Sequence, residues 1–305
     1  MITASANRRG ILAMLAGMTF FTLNDTLLKI ATVALPPGEI MAVRGVFGVA
    51  IALTLVIAGG HIVHLRELAR PVLAGRAVLE ALVAVTFITA LHDLPLANIT
   101  AILQATPIVI TLLAVILGLE RVGIRRWLAV IVGFAGVILI CKPSPAGFQP
   151  AEALTLLTAT LIAFRDLLTR QVAAHVPTIV VTLSAAGSVT LLGFLMAFKE
   201  TWQPLALGEI MLLGVAAILV TLGNLSIIVA FRIGSVAVVS PFRYTVVPLS
   251  LLIGITVFGD IPDAAALVGI GLIVMSGLYT FYREQRVCSP ESASLTPAIG
   301  AGDKP

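Results

Sequence analysis

Residues 10–32 read GILAMLAGMTFFTLNDTLLKIAT and residues 151–170 read AEALTLLTATLIAFRDLLTR. Both are apolar runs of about 20 residues, the length of a helix that crosses a bilayer. Both also carry polar groups near one end. Asn24-Asp25-Thr26-Leu27-Leu28-Lys29 in the first aligns with Arg165-Asp166-Leu167-Leu168-Thr169-Arg170 in the second, 141 positions on. The correspondence continues in order. Ala90-Leu91-His92, Ala97 and Thr100 match Ala230-Phe231-Arg232, Ala237 and Ser240, while Pro107 matches Pro248 and Glu120 matches Asp260. Matches that recur in one order indicate two homologous halves.

Working outward, apolar runs fill nearly the whole chain. Candidate spans cover residues 10–32, 37–58, 71–91, 95–117, 124–141, 151–170, 177–198, 209–231, 235–258 and 264–282. The expected fold is therefore an all-α integral membrane protein of ten transmembrane helices. Five spans per half is an odd number, so the second half enters the bilayer upside down, as in the inverted repeats of secondary transporters. The expected units are residues 1–145 and 146–286, followed by a disordered cytoplasmic tail, 287–305, rich in Ser, Pro, Ala and Gly.

Composition agrees. The chain is 59% hydrophobic and 11% charged, with a mean hydropathy of +1.10, whereas soluble domains carry roughly 25% charged residues. Its net charge of +4 does not point to nucleic acid, because the basic residues sit in short loops between spans. With the N-terminus cytoplasmic, that side takes Arg8, Arg9, Arg66, Arg70, Arg121, Arg125, Arg126, Arg170, Arg232, Arg283, Arg286 and Lys304. The other side takes only Lys142 and Lys199. The positive-inside rule then puts both termini in the cytoplasm, and the first apolar run reads as an uncleaved span. Cys141 and Cys288 fall on opposite sides, so neither a disulfide nor a metal site is expected.

An ionisable residue inside a span needs an explanation. Asp25, Lys29, Arg44, Arg76, Glu80, Arg165, Asp166 and Arg243 all lie within spans. Asp25 and Lys29, like Arg76 and Glu80, are spaced for neutralisation along one helix face. Arg76 and Lys29 lie close enough to an interface to snorkel. Asp25 lies deeper, roughly 22 Å along its helix, beside Asn24, and Asp166 beside Arg165 mirrors it. Asn24, Asp25, Lys29, Glu80, Arg165 and Asp166 are accordingly candidates for coupling or gating, with structural pairing as the competing reading.

Arg44 and Arg243 have no acidic residue within four positions and sit ~10 Å inside from opposite sides. Each is either half of an interhelical salt bridge or a guanidinium fork for a substrate carboxylate or phosphate. Basic residues outnumber acidic ones inside the spans, which favours a substrate with an anionic group. Gln104, Tyr244, Asn224 and Phe164 are further pocket candidates, Gln104 and Tyr244 because each precedes a helix-breaking proline. For the aromatic pair, packing is the competing reading. Gly133, Gly136, Gly269, Gly271 and Gly277 suit close helix contact. No phosphate loop or nucleophile elbow is present, and His61 and His64 read as solvated loop residues, so neither enzyme chemistry nor a cofactor is expected.

With these residues laid out, the chain resembles an EamA-type member of the drug/metabolite transporter superfamily over residues 10–283. The resemblance is carried by Asn24-Asp25 with Lys29, Arg44, Leu94-Pro95-Leu96-Ala97, Pro107 and Gly118-Leu119-Glu120-Arg121 with Trp127. Gly133-Phe134-Ala135-Gly136-Val137, Lys142-Pro143, Pro241-Phe242-Arg243-Tyr244 and Phe258-Gly259-Asp260-Ile261-Pro262-Asp263 add to it. It implies a ten-helix inverted-repeat fold with a cavity between the halves, in a bacterial inner membrane, moving a small organic metabolite by alternating access. Asn24-Asp25, Arg165-Asp166 and Phe242-Arg243-Tyr244 are similar to the S-adenosylmethionine uptake branch. Riboflavin-type uptake and metabolite export fit the same motifs. The partners implied are a small-molecule substrate and the lipid bilayer. Proton coupling and a homodimer stay open, and a membrane-embedded enzyme or a non-transporting assembly or sensor protein are the alternatives.

Overall fold

The computed structural model describes residues 4–106, 108–109, 124–142, 149–169, 171–173, 175–234 and 236–287. Pro107, Gly118, Leu119, Glu120, Arg121, Pro143, Arg170, Cys288 and the expected tail from 288 onward lie outside these residues. The described chain is helical, with no strand among the described residues. In order it forms α1 (Ala4–Ala31), α2 (Pro37–Ala58), α3 (Pro71–Asp93), α4 (Leu96–Leu103), α5 (Ile124–Cys141) and α6 (Pro150–Thr169). Then follow α7 (Thr178–Met196), α8 (Leu207–Ile233), α9 (Val236–Val239), α10 (Val246–Ile253) and α11 (Ala264–Val287). A 3₁₀ turn, Ser240–Thr245, joins α9 to α10, and a π turn, Gly254–Phe258, follows α10.

Proline sets several starts. Pro37 and Pro71 open α2 and α3 at positions whose N–H would be unpaired anyway, and Pro95 and Pro177 stand just before α4 and α7. Glu209 caps α8 by accepting from the Ala206 N–H at 2.9 Å. The stretches long and apolar enough to cross a membrane are Ser5–Ala31, Pro37–Ala58, Pro71–Asp93, Thr178–Met196, Leu207–Ile233 and Pro241–Phe258. Trp127–Cys141 and Ala264–Tyr279 are shorter apolar helices. The expected fourth span, 95–117, is described as an unbroken helix only over Leu96–Leu103.

The helices pack as α1 on α8, α2 on α7, α3 on α6 and α7, α4 on α10, and α5 on α11. The last pair crosses at glycine. A Cβ on Gly136 would stand 2.7 Å from the Gly269 carbonyl oxygen, and one on Gly269 would stand 2.6 Å from that of Gly136. Gly133 and Gly277 are likewise filled, by Ile108 and by the Tyr244 ring, whereas nothing approaches Gly271 within 4 Å. Close approach of this kind is how helices gain dispersion contact in lipid. Large apolar residues such as Leu12, Val33, Leu191, Phe198 and Met275 are exposed on the outside. In water that exterior would be a liability, and in a bilayer it is the solvent-matched surface.

Reciprocal loop contacts fix the α2–α7 pair. The Gly38 N–H donates to Glu200 at 2.9 Å, and the Gln203 N–H donates to buried Glu39 at 3.0 Å. At the other end Glu67, buried in the loop between α2 and α3, takes Arg70 at 2.5 Å and His175 at 3.4 Å. His61 and His64 depart from the solvated reading: both are half-buried with their rings 5.9 Å apart, and His64 Nδ1 is enclosed.

Candidate functional site

Two polar clusters form inside the helical bundle. The first joins α1 to α2. Arg44 Nη1 donates to Asn24 Oδ1 at 3.2 Å, and Asn24 Nδ2 donates to Asp25 Oδ1 at 2.9 Å. A buried amide thus stands between guanidinium and carboxylate and serves both, because Asn carries a donor and an acceptor on one group. Arg44 therefore has a neutral partner where a salt bridge was the competing expectation. Asp25 and Glu80 are the carboxylates whose charge acts on it. Arg has five N–H donors, so this one side-chain hydrogen bond leaves most of its fork available.

The second cluster joins α3 to α6. Glu80 takes Arg76 Nη2 at 3.3 Å and Arg165 Nη1 at 3.2 Å, one on each carboxylate oxygen. Arg165 also holds Asp166 through Nη2 at 2.8 Å and Nε at 3.1 Å, and Arg76 Nε donates to Thr169 Oγ1 at 3.0 Å. The expected Arg76–Glu80 pair is present, but it is shared with the second half of the chain. Two guanidiniums and two carboxylates balance, which is how charge is tolerated at membrane depth. The Thr86–Thr158 hydroxyl bond, 2.8 Å, links the same two helices further along. Sequence gave no signal for it, since threonine is common in apolar helices and bonds back to its own turn.

Lys29 does not close on Asp25. Its ammonium donates to the Leu94 carbonyl at 2.5 Å and approaches that of Leu91 at 3.5 Å, and it lies 5.4 Å from the centre of the Phe258 ring. The i,i+4 spacing allowed neutralisation, but a long flexible side chain near a span end reaches the unpaired carbonyls of a neighbouring helix C-terminus instead.

Arg243 and Tyr244 sit in the 3₁₀ turn that interrupts the span after α8. Pro241 and Pro248 each remove a backbone donor there, so a continuous helix cannot run through. Arg243 is exposed and, among the described residues, has no hydrogen-bond or ion-pair partner. Its turn packs against α1, the helix that carries Asn24 and Asp25. Tyr244 is half-buried, its ring filling the space over Gly277. Gln104 is half-buried at the end of α4. Asn224 is exposed, its amide donating to the Val220 carbonyl at 3.0 Å, and Phe164 is exposed beside Arg165. No hydrogen bond or ion pair among the described residues draws Gln104, Asn224 or Phe164 into the two clusters.

Residues 8–142 match the family described as EamA-like transporter. That stretch is less than half of the chain. The likeness extends beyond it. The pseudopaline exporter of Pseudomonas aeruginosa strain PAO1 is 27% identical over 87% of this chain and 93% of its own. An S-adenosylmethionine uptake transporter of Rickettsia prowazekii is 24% identical over 93% and 96%. A riboflavin transporter of Vibrio cholerae is 26% identical over 61% and 62%. These relatives are named as transporters, not enzymes. A crystal structure with 22% identity matches the fold at a TM-score of 0.60, covering 91% of this chain and 99% of that one. The matched stretch carries Asn24, Asp25, Arg44 and Glu80, while Arg165, Asp166 and Arg243 lie beyond it.

Proposed function

We propose that this chain is a secondary transporter of a small organic metabolite with an anionic group, working by alternating access across a bacterial inner membrane with both termini cytoplasmic. The observation that carries the reading is Arg243: an exposed guanidinium with no partner among the described residues, on an interrupted span. A fixed charge at membrane depth is expensive unless a ligand or water meets it, and broken spans are where transporters bind. In this reading Arg243 and the spare donors of Arg44 hold the anionic group. Asp25 and the Glu80–Arg165–Asp166 cluster serve as coupling or gating groups, and Gln104, Tyr244, Asn224 and Phe164 line the passage.

Ten spans in two inverted halves, 1–145 and 146–286, are part of the same proposal. The packing supports it. Exchanging each helix of one half for its counterpart in the other carries α1–α8 into α6–α3 and maps α2–α7, α4–α10 and α5–α11 onto themselves. The reciprocal contact of Gly136 and Gly269 fits such an exchange. The substrate is amino-acid-like, nucleoside-like or vitamin-like, moved inward or outward, as relatives named for pseudopaline export, S-adenosylmethionine uptake and riboflavin transport suggest. The test is an untargeted comparison of metabolites inside and outside cells with and without the gene, then counterflow of the responding solute in vesicles holding purified protein. Counterflow supports transport; its absence with folded protein, for each responding solute, favours the assembly or sensor reading.

A further inference from the structure

A cavity of about 410 Å³ opens between the start of α4, the end of α5 and the loop before α11, away from both polar clusters. Its lining includes Asn98, Lys142, Gly259, Asp260 and Asp263. Most of its polar groups are engaged. Lys142 and Asp263 form an ion pair with each other at exposed positions, and Asp263 Oδ1 also accepts from the Ala266 N–H at 2.9 Å. The Asp260 N–H is spent on the Gly254 carbonyl at 2.9 Å. Asp260 Oδ2, by contrast, is enclosed and has no hydrogen-bond donor among the described residues. Gly259, with φ 70°, makes the left-handed turn that sets Asp260 at this wall.

Lys29 and Asp260 act on each other through their charges. The Lys29 ammonium, however, is held by the Leu94 carbonyl and lies over the Phe258 ring. The other oxygen of the Asp260 carboxylate, Oδ1, is not enclosed, and neither has a donor among the described residues, so a ligand in a cavity of this size can supply one. The donor must be cationic to offset the charge. No group of three metal-binding side chains occurs among the described residues, which leaves an organic cation as the fitting class. We infer that this cavity is a vestibule site for an organic ammonium group, received by Asp260 with Asn98 beside it. As a first stop for the transported solute it rests on the transport reading, and as a binding site it does not.

The experiment uses the full chain in detergent micelles, with Cys141→Ala and Cys288→Ala removing native thiols. Asn98→Cys then reports the cavity through its reaction with cationic and anionic methanethiosulfonate reagents of similar size, each rate normalised to a free thiol. The expected result is a preference for the cationic reagent on the order of tenfold, falling to near unity with Asp260→Asn and reduced by millimolar ethylammonium. Ile261→Cys, on the same wall and exposed, serves as a second reporter should Asn98→Cys fail to fold. Equal rates, a preference for the anion, a preference that survives Asp260→Asn, or no reaction at either reporter would overturn the site. None of these readings involves transport, so a failure here and a failure of the transport reading are told apart.

Discussion

Glu80→Gln is the perturbation that most directly probes how α3 and α6 are held together. In the wild type one carboxylate answers two guanidiniums, Arg76 at 3.3 Å and Arg165 at 3.2 Å. The three side chains are only 14–22% exposed, so solvent does little to replace what is lost. Breaking a buried ion pair costs about 3–5 kcal/mol. Gln keeps one acceptor oxygen, and Arg165 keeps Asp166 at 2.8 Å, which together bring the expected loss to roughly 2–3 kcal/mol. At roughly 2–4 °C per kcal/mol, the melting temperature in detergent should fall by about 4–12 °C. The double variant Arg76→Gln/Glu80→Gln removes one unmatched cation with the carboxylate. It should lose less than the two single losses added, with a coupling of about 1–2 kcal/mol. Thermal unfolding of purified protein, followed by size-exclusion fluorescence, measures all three variants. A single variant melting within 1 °C or so of wild type, or strictly additive losses, would refute the shared-carboxylate account.

Asp25→Asn should lower transport more than Arg76→Gln at matched expression, because Asn24 leaves Asp25 the only carboxylate on α1; equal, near-normal rates would make Asp25 structural. Lys29→Met should loosen the end of α3 and shorten protection of the Leu91–Leu94 region in hydrogen exchange, while Lys29→Arg retains most of it. Gly269→Leu should disrupt the α5–α11 crossing and reduce the yield of folded protein several-fold, whereas Gly271→Leu, with nothing within 4 Å, should be tolerated. Cys141 should resist membrane-impermeant thiol reagents in folded protein, since it is 3% exposed; rapid labelling in intact cells would contradict its burial.

Helices were legible because span length, proline starts and repeated landmarks are properties of one segment at a time. The recurrence of Asn24-Asp25 as Arg165-Asp166 raised the expectation of two related halves, and Pro248 pointed to an interrupted span. What sequence could not supply was the partner across helices. Depth along a helix follows from counting residues, but azimuth and reach do not. Hence Asn24 was read as a neighbour of Asp25 and not as the link to Arg44, and Lys29 was placed on Asp25 while its ammonium caps α3. Glu67, in the loop between α2 and α3, is likewise buried under partners distant enough in sequence, such as His175, to leave no local sign. Gly136 and Gly271 look alike in sequence, and only the crossing of α5 with α11 separates them.

Substrate affinity of Arg243→Lys, measured by counterflow in vesicles once a responding solute is in hand, tests the central claim most directly. Lysine keeps the charge but presents a point ammonium where arginine presents a planar fork. If Arg243 binds the anionic group, affinity should fall about tenfold or more while the protein stays folded, because one charge-assisted hydrogen bond is lost. Unchanged affinity in Arg243→Lys would contradict the anion site.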